Sequence, residues 1–280
     1  MENALNVDLH CHSQVSDGML APGELVARAH RNGVDVLALT DHDEIGGLSE
    51  AAEAARELGL QFVPGVEISV TWAGETVHIV GLQIDPDDAA LAEGLRHTRS
   101  GRERRGREMA EQLAAVGIPG AFEGALRHVG NPELISRTHF ARFLVEQGVC
   151  RDVPEVFQNY LVEGKPGYVP MRWAALPDAI NWIRGAGGVA VIAHPGRYHY
   201  TPLQFQALYE EFLGLGGCGI EVVTGSHTPE QYREYAEVAR RYGFLASRGS
   251  DFHGPSESRI DLGVLPPLPA HLTPIWRDWF

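Results

Sequence analysis

The chain has 280 residues, of which 44% are apolar and 21% charged, and its formal net charge is −14 at pH 7. That length and balance can bury a substantial core without disulfides, which excludes a disordered tail, a collagen-like chain and a disulfide-stapled miniprotein. An acidic mean field repels phosphate, so the charge speaks against a general binder of long DNA or of anionic membranes. The three cysteines, Cys11, Cys150 and Cys218, form no CxxC pair. They fit a reducing compartment, and the cytoplasm is the expected location. The opening residues lack the basic and apolar segments of a signal peptide, and no apolar run reaches the roughly 18 residues of a membrane span.

Residues 5–10 read as a first strand. Residues 22–32 read as a helix with a proline in its first turn and Gly33 as its stop. Residues 36–40 are apolar almost throughout, as buried parallel strands tend to be. An Ala- and Glu-rich helix over 48–58 closes at Gly59, and strands over 61–70 and 76–84 meet across Ala73-Gly74 in a hairpin-like turn. From 89 to 167 the strand signal vanishes. One long helix is expected over 89–116 and another over 134–147, where Phe140, Phe143 and Leu144 fall at helical spacing. Alternation then resumes with helices over 174–184, 202–213 and 229–242 and strands over 189–193, 219–223 and from 245. The proline-rich tail from Leu262 reads as irregular. About seven strands alternating with helices predict an α/β fold, either a βα barrel or an open parallel sheet. Residues 1–99 and 168–280 would form it, with 100–167 inserted as a helical cap.

The chemistry lies in where the histidines and acids fall. His10 and His12 sit two apart on the first strand, so both should face one way, with Asp8, while Leu9 and Cys11 face the other. Asp17 follows in a loop. His42 follows the second strand, Glu67 ends the third, His78 lies in the fourth and His194 ends the fifth. Asp251 and His253 end the last. In a parallel barrel the carboxyl ends of the strands share one rim, where active sites are built. Nine ionisable groups converging there would be costly unless they ligate metal. Imidazole with carboxylate suits Mn, Fe(II) or Zn, and without cysteine ligands a closed structural zinc is disfavoured. Asp8 and Asp41 are candidates for orienting the ligand imidazoles.

The strings Asp8-Leu9-His10-Cys11-His12-Ser13, Ser16-Asp17-Gly18, Thr40-Asp41-His42-Asp43, Pro64-Gly65-Val66-Glu67, His194-Pro195 and Gly249-Ser250-Asp251-Phe252-His253 together resemble the PHP (polymerase and histidinol phosphatase) family. The resemblance implies a distorted (β/α)7 barrel of amidohydrolase type and three divalent metal ions, Mn foremost, with Fe or Zn as alternatives. It assigns His10, His12, Glu67 and Asp251 to one metal. Glu67, His78 and His194 would hold a second, and Asp17, His42 and His253 a third. No catalytic residue separate from these ligands is expected, the nucleophile being a metal-activated hydroxide.

The insertion resembles the subgroup of bacterial nucleotide phosphatases and small-RNA exonucleases. That implies a small nucleotide as substrate, in particular a nucleoside 3',5'-bisphosphate losing its 3'-phosphate, as from adenosine 3',5'-bisphosphate to AMP. The alternatives are a 5'-to-3' exonuclease on short RNA and a non-catalytic PHP module with a structural or docking role. Histidinol phosphate and similar small esters are a weaker option. Ser136, Arg137, Lys165 and Arg197 are the candidates for holding a second phosphate. His227 would line the rim or serve as a plain loop residue. Arg96, Arg99, Arg102, Arg104, Arg105 and Arg107 form a basic run that reads as a solvated helix surface, spread around the helix rather than forming one stripe.

Overall fold

Seven strands hydrogen-bond in sequence order into one sheet: β1 (Val7–Asp8), β2 (Val36–Leu39), β3 (Gln61–Trp72), β4 (Glu75–Leu82), β5 (Val189–Ile192), β6 (Gly219–Thr224) and β7 (Leu245–Gly249). The structure is a computed structural model that describes residues 5–279. The outermost limits expected for the barrel segments, 1 and 280, lie outside the described residues. β1, β2 and β3 are parallel, β4 runs antiparallel to both its neighbours, and β5, β6 and β7 are parallel again. The edges then meet. The Leu9 amide donates to the Arg248 carbonyl at 3.0 Å, and the Asp251 amide to the His10 carbonyl at 2.8 Å. The product is a nearly closed seven-stranded barrel whose distortion is one reversed strand.

β2 shows why its strand is apolar on both faces. Val36 and Ala38 point into the barrel with Val7, Leu9, Val63, Val80, Leu82 and Val191. Leu37 and Leu39 point outward to α1 (Pro22–Arg31) and α2 (Leu48–Leu58), meeting Leu25, Ala29, Ala51 and Ala55. A strand covered on both sides has no polar face to alternate. The tail is irregular, as its prolines dictate, but it is not idle. Ile275 joins the interior cluster, and the Ile275 and Ala246 amides bond across to the Ala246 and Thr273 carbonyls at 2.9 and 2.8 Å.

Two expectations about local structure fail for identifiable reasons. β1 has two paired residues rather than six, ending where Asp8 pairs with Leu37. Beyond the ladder the period of two no longer holds. Leu9 therefore lies in the barrel interior and Cys11 in the outer core, and Asp8 turns away from the histidines to accept from the Ser250 and Gly263 amides. The helix expected over 89–116 is two, α3 (Ala89–Arg99) and α4 (Arg102–Ala115). Ser100 bonds its hydroxyl back to the His97 carbonyl at 2.7 Å, and Gly101 follows, so propensity and side-chain competition both favour a break there.

The break separates two cores. Leu91 and Leu95 of α3 pack with the barrel, whereas Met109 and Leu113 of α4 join a second cluster. That cluster also takes in α5 (Ala121–Leu126), α6 (Arg137–Glu146) and α7 (Val153–Val156), through Phe122, Phe140, Phe143, Leu144 and Val156. Helix α6 is shorter than expected, because Pro132–Leu134 forms a separate 3-10 turn. Helices α8 (Leu176–Gly185), α9 (Pro202–Gly214) and α10 (Pro229–Tyr242) complete the outer layer, each with a proline in its first turn. No helix among the described residues is long and apolar enough to cross a membrane. Phe140 is wholly buried in the second cluster. Phe140→Ala is expected to cost about 3–5 kcal/mol, read as a lowered urea midpoint at unchanged slope.

Candidate metal centre

Nine side chains, from six strands or the residues just beyond them and from one loop, converge at the mouth of the barrel. His10 and His12 face Glu67 and Asp251 with a regular spacing. His10 Nε2 lies 3.2 Å from His12 Nε2, 3.3 Å from Glu67 Oε2 and 3.5 Å from Asp251 Oδ1. His12 Nε2 lies 3.4 Å from Glu67 Oε2 and 3.2 Å from Asp251 Oδ1. Tetrahedral ligands at about 2.0–2.1 Å from a divalent ion stand roughly 3.3–3.4 Å from one another. Five edges between these four atoms match that figure.

The other groups surround this set. His78 Nδ1 and His194 Nε2 each approach Glu67 Oε1 at 2.9 Å. His42 Nδ1 stands 2.9 Å from Glu67 Oε2, and its Nε2 3.9 Å from Asp17 Oδ1. His253 Nε2 is 3.4 Å from that same Asp17 oxygen. The structure thus brings together all nine expected positions, though not all as strand ends. Glu67 lies in mid β3, and His78 enters from the first half of the antiparallel β4.

Burial and missing partners test whether cations fit. His12 Nδ1, Asp17 Oδ1, His42 Nδ1, Glu67 Oε2 and His194 Nδ1 are buried without a properly formed hydrogen bond. Native proteins leave few such atoms, so the cluster fits a set of ligands better than a hydrogen-bonded core. Burial holds His12 near about 3, helped by His253 and His42, and holds His194 near about 3, helped by Arg197. Both rings are therefore neutral and able to donate a lone pair. Burial alone would raise Glu67, but His42, His78 and His10 hold it well below the ordinary carboxylate range. Two of the nine occupy strained backbone, His194 at φ 26° and Asp251 at φ 55°. Each such residue costs about 1–3 kcal/mol and persists only where its surroundings fix it.

The supports differ from those expected. Asp8 touches no imidazole. Asp41 accepts from the Ser13 amide and hydroxyl at 2.8 and 2.6 Å and from the Ser16 hydroxyl at 2.6 Å, so it ties down the loop carrying Asp17 rather than a histidine. The carboxylate on a clustered imidazole is Glu221 of β6, 2.7 Å from His10 Nδ1. It sits in the apolar run Gly219-Ile220-Glu221-Val222-Val223, where the acid was the available signal. Asp43 was also missed. It accepts from the Ser69 amide and hydroxyl at 2.7 and 2.9 Å and pairs with Arg102. Gly249 is required where β7 crosses His10, since a Cβ there would stand 2.3 Å from the His10 Cβ.

The helical segment supplies the facing wall. Thr138 and Ser136 donate to Asp17 Oδ2 at 3.0 and 3.5 Å, leaving Oδ1 to the histidines. Arg137 lines the cleft, donating to the Leu161 carbonyl at 3.2 Å with Phe157 beneath its guanidinium. Arg197 lines it too, 2.9 Å from Asp251 Oδ2. Lys165 is not brought in: it is exposed in a turn away from the cleft. His227 is buried among backbone groups, its Nε2 accepting from the Gly196 amide at 2.9 Å, and does not face the cluster. The arginine run divides by face. Arg96, Arg104 and Arg107 are exposed and pair with Glu93, Glu108 and Glu103. Arg102 and Arg105 are buried at i, i+3 on one side of α4 and lean over the Trp173 ring. The run is therefore partly a stripe after all, aimed at the site.

A family model for the PHP domain matches residues 8–121. A 3',5'-nucleoside bisphosphate phosphatase of Chromobacterium violaceum is 53% identical over 98% of this chain and 96% of its own. The chain belongs to the PHP family. A 5'-3' exoribonuclease of Haemophilus influenzae is 42% identical over 97% of this chain and 98% of its own. Among solved structures, an amidohydrolase of Chromobacterium violaceum with bound sulfate and no metal aligns with a TM-score of 0.94 at 52% identity, covering 98% of this chain and 95% of that one. The segment matched to the PHP domain carries six of the nine clustered residues and ends before His194, Asp251 and His253. The barrel returns those three to the cleft.

The PHP cluster should bind metal more tightly as pH rises. Burial lowers His253, but the Asp17 carboxylate overrides it and brings the ring up to about 9. A metal must then displace that proton at neutral pH, and the cost disappears as pH climbs through 9. Chelator competition at pH 7 and pH 9 should show the tighter binding at pH 9.

Proposed function

We propose that this chain is a metal-dependent phosphatase that hydrolyses the 3'-phosphate of nucleoside 3',5'-bisphosphates, such as adenosine 3',5'-bisphosphate to AMP and phosphate. The observation carrying this reading is a pair of guanidiniums facing the cluster. Arg105 and Arg137 both line the cleft, and neither has a carboxylate partner among the described residues. Burial, with Arg137 and Arg102 nearby, brings Arg105 down to about 9, and burial lowers Arg137 as well. Uncompensated buried cations are costly, so this wall is built for an anion that arrives with the substrate. A substrate with one phosphate over the cluster and a second against these arginines satisfies both halves of the cleft.

The residues divide the work accordingly. His10, His12, Glu67 and Asp251 would hold one ion, Glu67, His78 and His194 a second, and Asp17, His42 and His253 a third, with manganese the first choice and iron or zinc the alternatives. In that place divalent ions would supply Lewis acidity and would lower the pKa of a water towards about 7. Arg105 and Arg137 grip the non-reacting phosphate, each guanidinium already oriented by a backbone carbonyl and an aromatic ring. Ser136 and Thr138 fix Asp17, and Arg142 ties the Asp17 carbonyl, at 2.6 Å, to Glu257. Residues 100–167 thereby act as a cap, in a soluble cytoplasmic enzyme.

A second reading, a 5'-to-3' exonuclease on short RNA, draws on the 42% identity to the Haemophilus influenzae exoribonuclease. The outward arginines weigh against an extended RNA track, because Arg96, Arg104 and Arg107 are each tied to a glutamate on their own helix. A non-catalytic docking module has no use for nine converging ligand groups. Manganese-loaded protein assayed on mono-, bis- and oligonucleotides separates the three. Fast phosphate release from bisphosphates supports the first, stepwise decay of oligonucleotides the second, and turnover of neither the third. Stripping metal with a chelator should abolish activity and metal return should restore it; full activity in the dialysed apoprotein would sink the metal-dependent reading. Arg137→Ala should raise KM for the bisphosphate roughly ten- to a hundredfold, as for a lost charge-assisted bond, while barely changing KM for a simple phosphomonoester. Equal shifts for both substrates would remove Arg137 from this role.

A further inference from the structure

We infer that Glu221 is a positioning residue that sets the tautomer of His10 and pins His194, and so decides whether the inner ligand set is competent to bind metal. The inference rests on the metal reading above. Glu221 is 1% exposed, and both carboxylate oxygens are committed. Oε1 lies 2.7 Å from His10 Nδ1, and Oε2 accepts the His194 amide at 2.6 Å. With Glu221 ionised the carboxylate only accepts, so a proton sits on His10 Nδ1, between the two groups. Its Nε2 is then the ring atom left to face Glu67, Asp251 and His12, three neighbours within 3.5 Å, and the one that would ligate a metal once the metal has displaced any proton there. The second oxygen meets a different need. His194 holds φ 26° and ψ 58°, a conformation that a non-glycine residue does not keep unaided. A charge-assisted bond to its amide fixes the backbone from which Nε2 reaches Glu67 Oε1. One side chain on β6 thus orients groups from the segments that follow β1 and β5. Asp8 is its natural contrast, an equally buried carboxylate on β1 that accepts two amides and touches no imidazole.

The decisive variant is Glu221→Gln. A glutamine has one acceptor and one donor end, so it cannot accept from both Nδ1–H and the His194 amide. If the amide nitrogen faces His10, the ring proton moves to Nε2 and blocks ligation. If it faces His194, two donors oppose each other. Metal per chain and the rate of loss to a chelator are measured on wild type, Glu221→Gln and Asp8→Asn, with thermal unfolding in excess chelator as the fold control. Glu221→Gln is expected to lower metal affinity roughly ten- to a hundredfold. Asp8→Asn should lower unfolding temperature while leaving metal affinity near wild type. Wild-type metal content and loss rate in Glu221→Gln would overturn the inference. Wild-type protein that takes up no metal would instead overturn the metal reading itself. Should Glu221→Gln not fold, the imidazole nitrogens of zinc-loaded wild type are read by long-range ¹H–¹⁵N NMR. A protonated His10 Nδ1 is expected, and an unprotonated one overturns the inference.

Discussion

Six imidazoles and three carboxylates share the mouth of this barrel, five of the residues buried, four half-buried, and several with a buried atom that lacks a hydrogen-bond partner. Such a set is unstable as a neutral core. Like groups repel, unpaired lone pairs have lost their solvent, and the strained His194 and Asp251 add backbone cost. Cations held there would relieve the first two and help offset the third, and the surrounding structure keeps the groups in place. Fixed ligand positions are useful only if the scaffold is stiffer than the repulsion among the ligands.

The barrel provides that stiffness from three sides. Parallel strands on either side of one reversed strand bring distant segments to one rim, and the apolar interior beneath is sealed by Ile275 from the tail. Buried carboxylates then fasten the loops: Asp41 holds the Ser13–Ser16 turn, Asp43 joins Ser69 to Arg102, and Glu221 joins His10 to His194. The second core closes the cleft from above. Its own hydrophobic cluster lets it present Thr138, Arg137 and Arg105 from elements independent of the barrel, so the wall facing the cluster can carry charge that the barrel does not balance. The acidity of the whole chain and the cationic wall of one cleft are therefore compatible, because fields from scattered surface acids are screened within about 10 Å while a buried guanidinium is not.

Much of this was legible in the residues. Period and punctuation locate most of the helices and strands, because an amphipathic helix or a doubly covered strand leaves its burial pattern in the chain. All nine clustered groups were legible too, since histidines and acids recurring at strand ends have few structural uses. The supporting residues were not. Asp8 and Asp41 read as plausible partners for the ligand rings because they are close in sequence, yet β1 stops pairing at Asp8 and the chain turns it away. Glu221 lies more than 200 positions from the ring it orients, and no local pattern connects them. The arginine run shows the same limit. Its spacing permits either a solvated face or a stripe, and only the break at Ser100-Gly101, with Trp173 packed below, chooses which arginines face inward.

The sequence by itself therefore determined the class of fold, the nine groups that cluster and the kind of chemistry, because these are written in residue type, local period and motif. Tertiary structure alone decided the regular spacing of the inner four groups, the carboxylate behind His10, the exclusion of Lys165 and the two guanidiniums opposite that have no carboxylate partner among the described residues. Those depend on distances between segments remote in the chain, and such distances are set by how the barrel closes and how the second core packs over it.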